Sequence, residues 1–385
     1  MKIALNALLL SQSASYRTAG ISQYIYELLV NLRLRPPEHT YEAFLASVPD
    51  DLKLSLTPNF QCTAVGAQFG RPARRILWEQ IIQPFYLAKC APDLTHALGY
   101  ALPLTWTGPS VMTICDLSFI RYPQLFNRSN AIYLATIARI SARRATHVAT
   151  ISESTRRDVV NLLGVDPARV TTTFCGVSSQ FQPATPRDVE AFKQRVGLPP
   201  QFLLYVGTIE PRKNVAGLVR AYAAYRKTSP APLPLVLAGG RGWKDQEVFD
   251  LVASLDLRQH IRFPGYVPAI DLPLWYSAAT AFVYPSYYEG FGLPVAEAMA
   301  CGTPVITTRV SSLPEVVGDA GILVDPDDDT GLTAALARIS SDSELRSTLS
   351  LAGQARVARF RWDQMAAETA ALYERVINAP VRSSR

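Results

Sequence analysis

A chain of 385 residues is longer than one hydrophobic core usually serves, so two domains are expected. With 48% hydrophobic and 18% charged residues it reads as a folded globular protein, which excludes a disordered or fibrous chain, and no apolar run approaches the ~20 residues of a bilayer span. The formal charge of +6 lies wholly in the first half: residues 1–185 hold 17 Lys and Arg against 11 Asp and Glu, while residues 186–385 hold 21 of each.

A basic half can face nucleic acid, an anionic membrane or an anionic acceptor. No helix-turn-helix spacing, finger or aromatic RNP-like strand is present, so nucleic acid is set aside as a partner. Five cysteines without a CxxC pair (Cys62, Cys90, Cys115, Cys175, Cys301) predict buried thiols, and four dispersed histidines form no legible zinc site. LNALLL is too short for a signal peptide, which places the chain in the cytoplasm, with the inner face of the cytoplasmic membrane as a candidate docking surface.

In chain order, KIALNALLL predicts the opening strand of a doubly wound sheet. A polar loop then ends at Gly20, and Ile21, Ile25, Leu28, Leu29 and Leu32 share one face of the next helix. Strand, glycine loop and helix start form a geometry that suits phosphate, so Gly20 is a candidate acceptor or phosphate-loop residue. YEAFLAS reads as a strand. Arg71, Arg74, Arg75, Ile76, Leu77, Trp78, Ile81 and Ile82 then fall at near-helical spacing, as either a lipid-surface helix or a core-packed helix with a solvated Arg face.

DLTHALGY predicts a strand with His96 at its carboxyl edge, where open α/β sheets gather ligands. Val111 to Ile114 form another buried strand, leading to Asp116, which either faces the cleft or caps a turn. A long helix with Ile132, Ile137 and Ile140 leads to the strand THVATIS. The aperiodic FCGVSSQFQPATP reads as the linker.

QFLLYVGTIEPRKN restarts the alternation. A strand over Phe202 to Val206 is followed by a loop from Gly207 to Asn214, in which Arg212 and Lys213 precede a helix. Such cations can neutralise a departing diphosphate, the alternative being two solvated loop charges. IRFPGYVP ends in a turn whose main chain at Tyr266 and Val267 would suit a nucleobase edge.

The stretch YPSYYEGFGLPVAEAMACGTP leaves a buried strand (Ala281 to Tyr284) and opens a helix predicted over Pro294 to Cys301, with Gly302 and Pro304 as its stop. The N–H groups of Gly290, Phe291, Gly292 and Leu293 form an anion-binding mouth at the positive end of the dipole. Glu289 and Glu297, eight positions apart, frame it. Backbone donors for a phosphate and carboxylates for hydroxyls describe a sugar-nucleotide site, whereas acids at a helix start are also simply favourable to its dipole. Thr307, Ser311 and Glu315 follow near the predicted cleft, and RFRWDQMAAETAALYERV closes the chain as a helix.

The run EGFGLPVAEAMACGTPVI resembles the donor-site signature of retaining glycosyltransferase family 4, and GTIEPRKN is similar to that family's second donor motif. The resemblance implies the GT-B fold: two Rossmann-like, doubly wound α/β domains facing a central cleft. Residues 1–180 would bind the acceptor and 187–361 the sugar nucleotide, with the last helix, about 362–380, packing back on the first domain through Trp362 and Tyr373. It implies that Glu289 sits by the donor sugar, Glu297 bonds the ribose hydroxyls, Arg212 and Lys213 contact the pyrophosphate, and Val267 meets the base.

Two departures stand out. The family often carries a richer glycine loop where this chain has only Gly20, and Cys115 holds a place where members frequently show His, leaving Asp116 as the polar candidate there. The resemblance further implies same-face transfer with retention, and because no Asp-x-Asp falls at the predicted cleft, no metal or other cofactor is expected, the cations serving the leaving group instead. Replacing Arg212 and Lys213 with Ala is expected to depress turnover far more than stability. The donor expected first is GDP-mannose, with a glycan or lipid-linked acceptor of a cell-surface polysaccharide. UDP-glucose or UDP-N-acetylhexosamine donors, a sugar-nucleotide epimerase, a phosphorylase and a non-catalytic nucleotide-binding partner are the alternatives.

Overall fold

Short runs of β-branched and aliphatic residues alternate with amphipathic helices throughout the chain, a pattern that yields parallel sheets covered by helices. The computed structural model describes residues 1–11, 20–36, 38–53 and 57–378 and divides into two units. The first contains the described residues up to Gly176 together with the helix from Trp362, and the second runs from Val177 to Arg361.

Among the described residues the first unit holds seven parallel strands: β1 (Lys2–Asn6), β2 (Thr40–Leu45), β3 (Phe60–Ala64), β4 (Leu94–Ala97), β5 (Ser110–Ile114), β6 (His147–Thr150) and β7 (Val170–Thr172). Their order is β3-β2-β1-β4-β5-β6-β7. Ile3 is paired with both Tyr41 and Leu94, which places the apolar opening strand inside the sheet. The helix Trp362–Asn378 belongs to this unit, and its Trp362 and Tyr373 are buried.

His96 does not face a ligand edge. It is wholly buried within β4, with Nδ1 2.7 Å from the Tyr373 hydroxyl and Nε2 2.8 Å from Thr113 Oγ1. Burial lowers its pKa to about 3, so it is a neutral core histidine, one nitrogen donating and the other accepting.

The second unit holds β8 (Leu203–Val206), β9 (Leu235–Ala238), β10 (Ile261–Gly265), β11 (Ala281–Tyr284), β12 (Val305–Thr308) and β13 (Ile322–Val324), all parallel in the order β10-β9-β8-β11-β12-β13. The winding reverses between β8 and β11, which pair directly through Ala281 with Leu203 and Phe282 with Leu204. A crevice outside the carboxyl ends of two such strands is where this class of sheet binds ligands.

Of the expected linker, residues 174–176 belong to the first unit, and the rest, from Val177, is ordered structure of the second. The Val177 N–H donates to the Phe360 carbonyl, buried Phe181 lies 6.1 Å from the Tyr276 ring, and the Ala184 N–H donates to Ser277 Oγ. Aperiodic sequence concealed these tertiary contacts.

Candidate functional site

Strands β8 and β11 each release a loop at the switch point, and the two loops are tied together. The Arg212 carbonyl accepts the Tyr287 N–H at 2.9 Å and the Ser286 hydroxyl at 3.1 Å. In return the Arg212 guanidinium donates to the Tyr288 carbonyl at 2.7 Å. Glycine permits the close approach beneath them: a Cβ on Gly239, at φ +149°, would lie 1.9 Å from the Gly207 carbonyl oxygen.

Glu289 is the centre of this junction. Its Oε1 accepts from Lys213 Nζ at 2.7 Å and from Ser286 Oγ at 2.5 Å, and its Oε2 lies 3.3 Å from Arg212. Burial pushes the carboxyl upward, but the charges of Lys213 and Arg212 outweigh that effect and hold it at about 2. Lys213 also reaches the Tyr284 hydroxyl at 2.5 Å and stands over that ring, and burial followed by Arg212 keeps its pKa below the ordinary value. Arg212 also forms an ion pair with Glu210 at 3.0 Å. Two cations and two carboxylates are thus locked into a buried, balanced cluster, so Arg212 and Lys213 are not solvated loop charges.

The helix after the loop spans Leu293–Ala300, one residue earlier at each end than its sequence suggests. Gly292 takes φ 101° and ψ 46°, a conformation costly to any other residue, and so supplies the cap directly before Leu293. The first intrahelical bonds run from the Val295 and Ala296 amides to the Gly292 carbonyl, leaving the Gly292 and Leu293 amides without intrahelical acceptors. Ser311 and Ser312 hold the approach to the helix. The Glu289 N–H donates to Ser311 Oγ, and the Ser312 hydroxyl reaches the carbonyls of Glu289 and Phe291. Phe291 is anchored edge-on against Phe360 at 5.2 Å.

Glu297 lies one turn into this helix, half-buried, and its Oε2 accepts from the Tyr276 hydroxyl at 3.1 Å. Burial raises its carboxyl to about 7, so the two glutamates framing the mouth are set about five pKa units apart. Val267 is buried beside exposed Tyr266. It lines a cavity of about 500 Å3 with Tyr266, Phe263, Arg262 and Trp275, which none of the charged cluster lines.

Gly207, Arg212, Lys213, Val267, Glu289, Gly290, Phe291, Gly292, Leu293 and Glu297 all belong to the second unit; Gly20 and Asp116 belong to the first. Gly20 has φ 63° and its carbonyl accepts the Tyr24 N–H at the start of the helix Ile21–Arg33, while residues 12–19 of the expected loop lie outside the described residues. Asp116 Oδ1 accepts from the Ser118 N–H at 2.9 Å and its hydroxyl at 2.7 Å, so this carboxylate closes a turn onto the first residue of the short helix Ser118–Arg121, whose N-cap is Leu117. Adjacent Cys115 is buried, and burial pushes its thiol far up.

Sequence reasoning missed Glu210, Tyr276, Ser286 and Ser312. The only linear signal was Glu210 two residues before Arg212; Ser286 and Ser312 become visible once the loops converge, and Tyr276 once its helix Leu272–Ala278 packs beside Glu297.

Comparison with known proteins agrees with this architecture. The profile of the family "Glycosyl transferases group 1" matches residues 186–356. The chain is 37% identical over 266 residues to the O-antigen chain mannosyltransferase B of Escherichia coli, covering 69% of this chain and 70% of that protein. It is 30% identical over 303 residues to the D-inositol 3-phosphate glycosyltransferase of Salinispora arenicola, covering 74% and 68%. Among solved structures, the sucrose-phosphate synthase of Thermosynechococcus elongatus superposes with a TM-score of 0.80 at 25% identity, over 99% of this chain and all of that one.

Proposed function

This chain belongs to the glycosyl transferases group 1, with the GT-B fold, and from that membership we propose that it is a retaining mannosyltransferase using GDP-mannose. Its acceptor in this proposal is a lipid-linked or polysaccharide glycan of the cell surface. The observation that carries the reading is the buried junction of Arg212, Lys213 and Glu289 beside the helix opening at Leu293. The choice of mannose follows the E. coli relative.

In this reading the pyrophosphate sits against the amides after Gly290, and Arg212 and Lys213 stabilise the departing diphosphate. Both cations are already fixed in place, so little reorganisation accompanies the transition state. Glu297 accepts hydrogen bonds from the ribose hydroxyls, Val267 borders the base, and Glu289 lies by the sugar while orienting Lys213. The acceptor hydroxyl attacks C1 on the face the diphosphate leaves, and its proton passes to a donor phosphate oxygen. In this reading Arg212, Lys213 and the helix amides donate hydrogen bonds to the leaving diphosphate, and turnover without a divalent metal is expected.

The test is incubation with GDP-mannose, UDP-glucose and UDP-N-acetylglucosamine, with and without a mannose-terminated lipid-linked acceptor, in EDTA. Acceptor-dependent GDP release and an α-mannosyl product by NMR are expected. Release from a UDP-sugar alone reassigns the donor, turnover that needs added Mg2+ or Mn2+ rejects metal independence, and an inverted anomeric centre rejects retention.

A further inference from the structure

At the amino end of the first unit's sheet the fold gathers three side chains that can ligate a metal, and the transfer chemistry uses none of them. Glu38 and His39 stand directly before β2, whose first residue is Thr40, and Glu374 lies on the helix Trp362–Asn378. Ligands of an open α/β sheet gather outside the carboxyl ends of its strands, so this cluster lies at the opposite end from a substrate. One ligand atom of each residue is within 4.8 Å of the other two, and His39 Nε2 is 3.3 Å from Glu374 Oε1.

The buried histidine is what marks the cluster as a site. His39 is only 6% exposed, yet neither ring nitrogen makes a hydrogen bond among the described residues, because its approach to Glu374 lacks hydrogen-bond geometry. Buried polar groups are almost always bonded, and an ion is one of the few partners that satisfies one which is not. Tyr41 meets the ring edge-on at 6.2 Å and packs in turn on Phe60 at 5.7 Å, so the imidazole is confined by its neighbours. Glu38 is exposed and the Glu374 side chain is 47% exposed, which leaves an ion a path from solvent.

We propose that Glu38, His39 and Glu374 bind a Zn2+ ion, with water in the fourth position. The donor set selects the metal. Mg2+ and Ca2+ take oxygen ligands, whereas an imidazole nitrogen with carboxylate oxygens suits zinc. Bonds of about 2.1 Å put the donors of a tetrahedral site about 3.4 Å apart. The His39–Glu374 pair already has that spacing, and rotation of the exposed Glu38 side chain supplies the third donor. Two carboxylates and a neutral imidazole also balance the charge of the dication. The ion ties the segment entering β2 to the helix that completes the unit, and its binding energy adds to the stability of both. It takes no part in the transfer proposed for the second unit.

The experiment uses the full chain, stripped with chelator, dialysed and titrated with ZnCl2 against a chromophoric zinc indicator, with MgCl2 and CaCl2 in parallel. Saturable binding of about one zinc per chain is expected. Glu38→Gln, Glu374→Gln and His39→Gln should each weaken it roughly tenfold or more, since even outer-shell partners of a metal are worth that much. The two glutamate variants change exposed side chains and keep the test open should His39→Gln fail to fold. Zinc should also slow hydrogen exchange across the helix Trp362–Asn378 in the wild type but not in Glu374→Gln. No saturable zinc binding overturns the proposal and leaves His39 and Glu374 as an ion pair. Undiminished zinc binding by the Glu38→Gln, Glu374→Gln double variant, which assigns the metal to other groups, overturns it as well, as does equal affinity for Mg2+.

Discussion

Replacing Lys213 with Met tests whether the buried charge cluster is structural as well as functional. The Glu289 carboxyl is held at about 2 instead of its ordinary 4.5, worth roughly 3 kcal/mol on the carboxylate's side at neutral pH, part of which the burial that lowers Lys213 offsets. Burial by itself would raise the carboxyl, and Lys213 is the first of the charges that reverse it. In Lys213→Met the carboxyl therefore rises and most of that ~3 kcal/mol is lost, as when any buried ion pair is broken from one side. Because the folded value is depressed, this contribution is complete above 4.5 and declines as pH falls toward 2. The double variant Lys213→Met, Glu289→Gln leaves no uncompensated carboxylate, and Arg212 keeps Glu210, so at least half of the loss should return.

Two units preclude a single unfolding equilibrium, so the assay is hydrogen exchange on peptides covering residues 203–300. A loss below about 1 kcal/mol in Lys213→Met, or a double variant as unstable as the two single losses added together, refutes the coupling. The burial adds a measurable stability loss to the larger turnover loss expected of replacing Arg212 and Lys213 with Ala.

Glu297 titrates at about 7, so donor affinity by calorimetry should tighten about tenfold between pH 6 and 8 as it ionises, and Glu297→Gln should flatten that dependence. Glu297→Ala should weaken donor binding by roughly 1.5–3 kcal/mol; unchanged affinity in a folded variant removes the ribose role. His96, held at about 3, contributes stability that is whole above 6.5 and shrinks as pH falls from there toward 3; hydrogen exchange across the helix Trp362–Asn378 should show that slope, and His96→Gln should abolish it. Asp116→Ala should lower the local stability of residues 110–125, read by hydrogen exchange, by about 1 kcal/mol through the lost hydrogen bonds to Ser118, whereas Asp116→Asn, which keeps an acceptor oxygen, should not. A turnover loss in Asp116→Asn at unchanged stability would mark the carboxylate charge as catalytic.

The sequence by itself determined the two parallel-sheet units, because alternating apolar strands and amphipathic helices are local, periodic signals. It also determined the candidate mouth at Gly290 to Leu293, where glycine and proline chemistry sets backbone conformation within a few residues of itself. Tertiary structure decided what each charge does. Glu289 and Glu297, alike in sequence, end at opposite ends of the carboxylate range because one meets two cations in a buried junction and the other meets a tyrosine. It likewise turned His96 inward, folded most of the apparent linker into the second unit and, at the widened turn Trp78–Ile82, buried Trp78 while leaving Phe85 exposed. Desolvation and pairing depend on residues far apart in the chain, and periodicity carries no record of them.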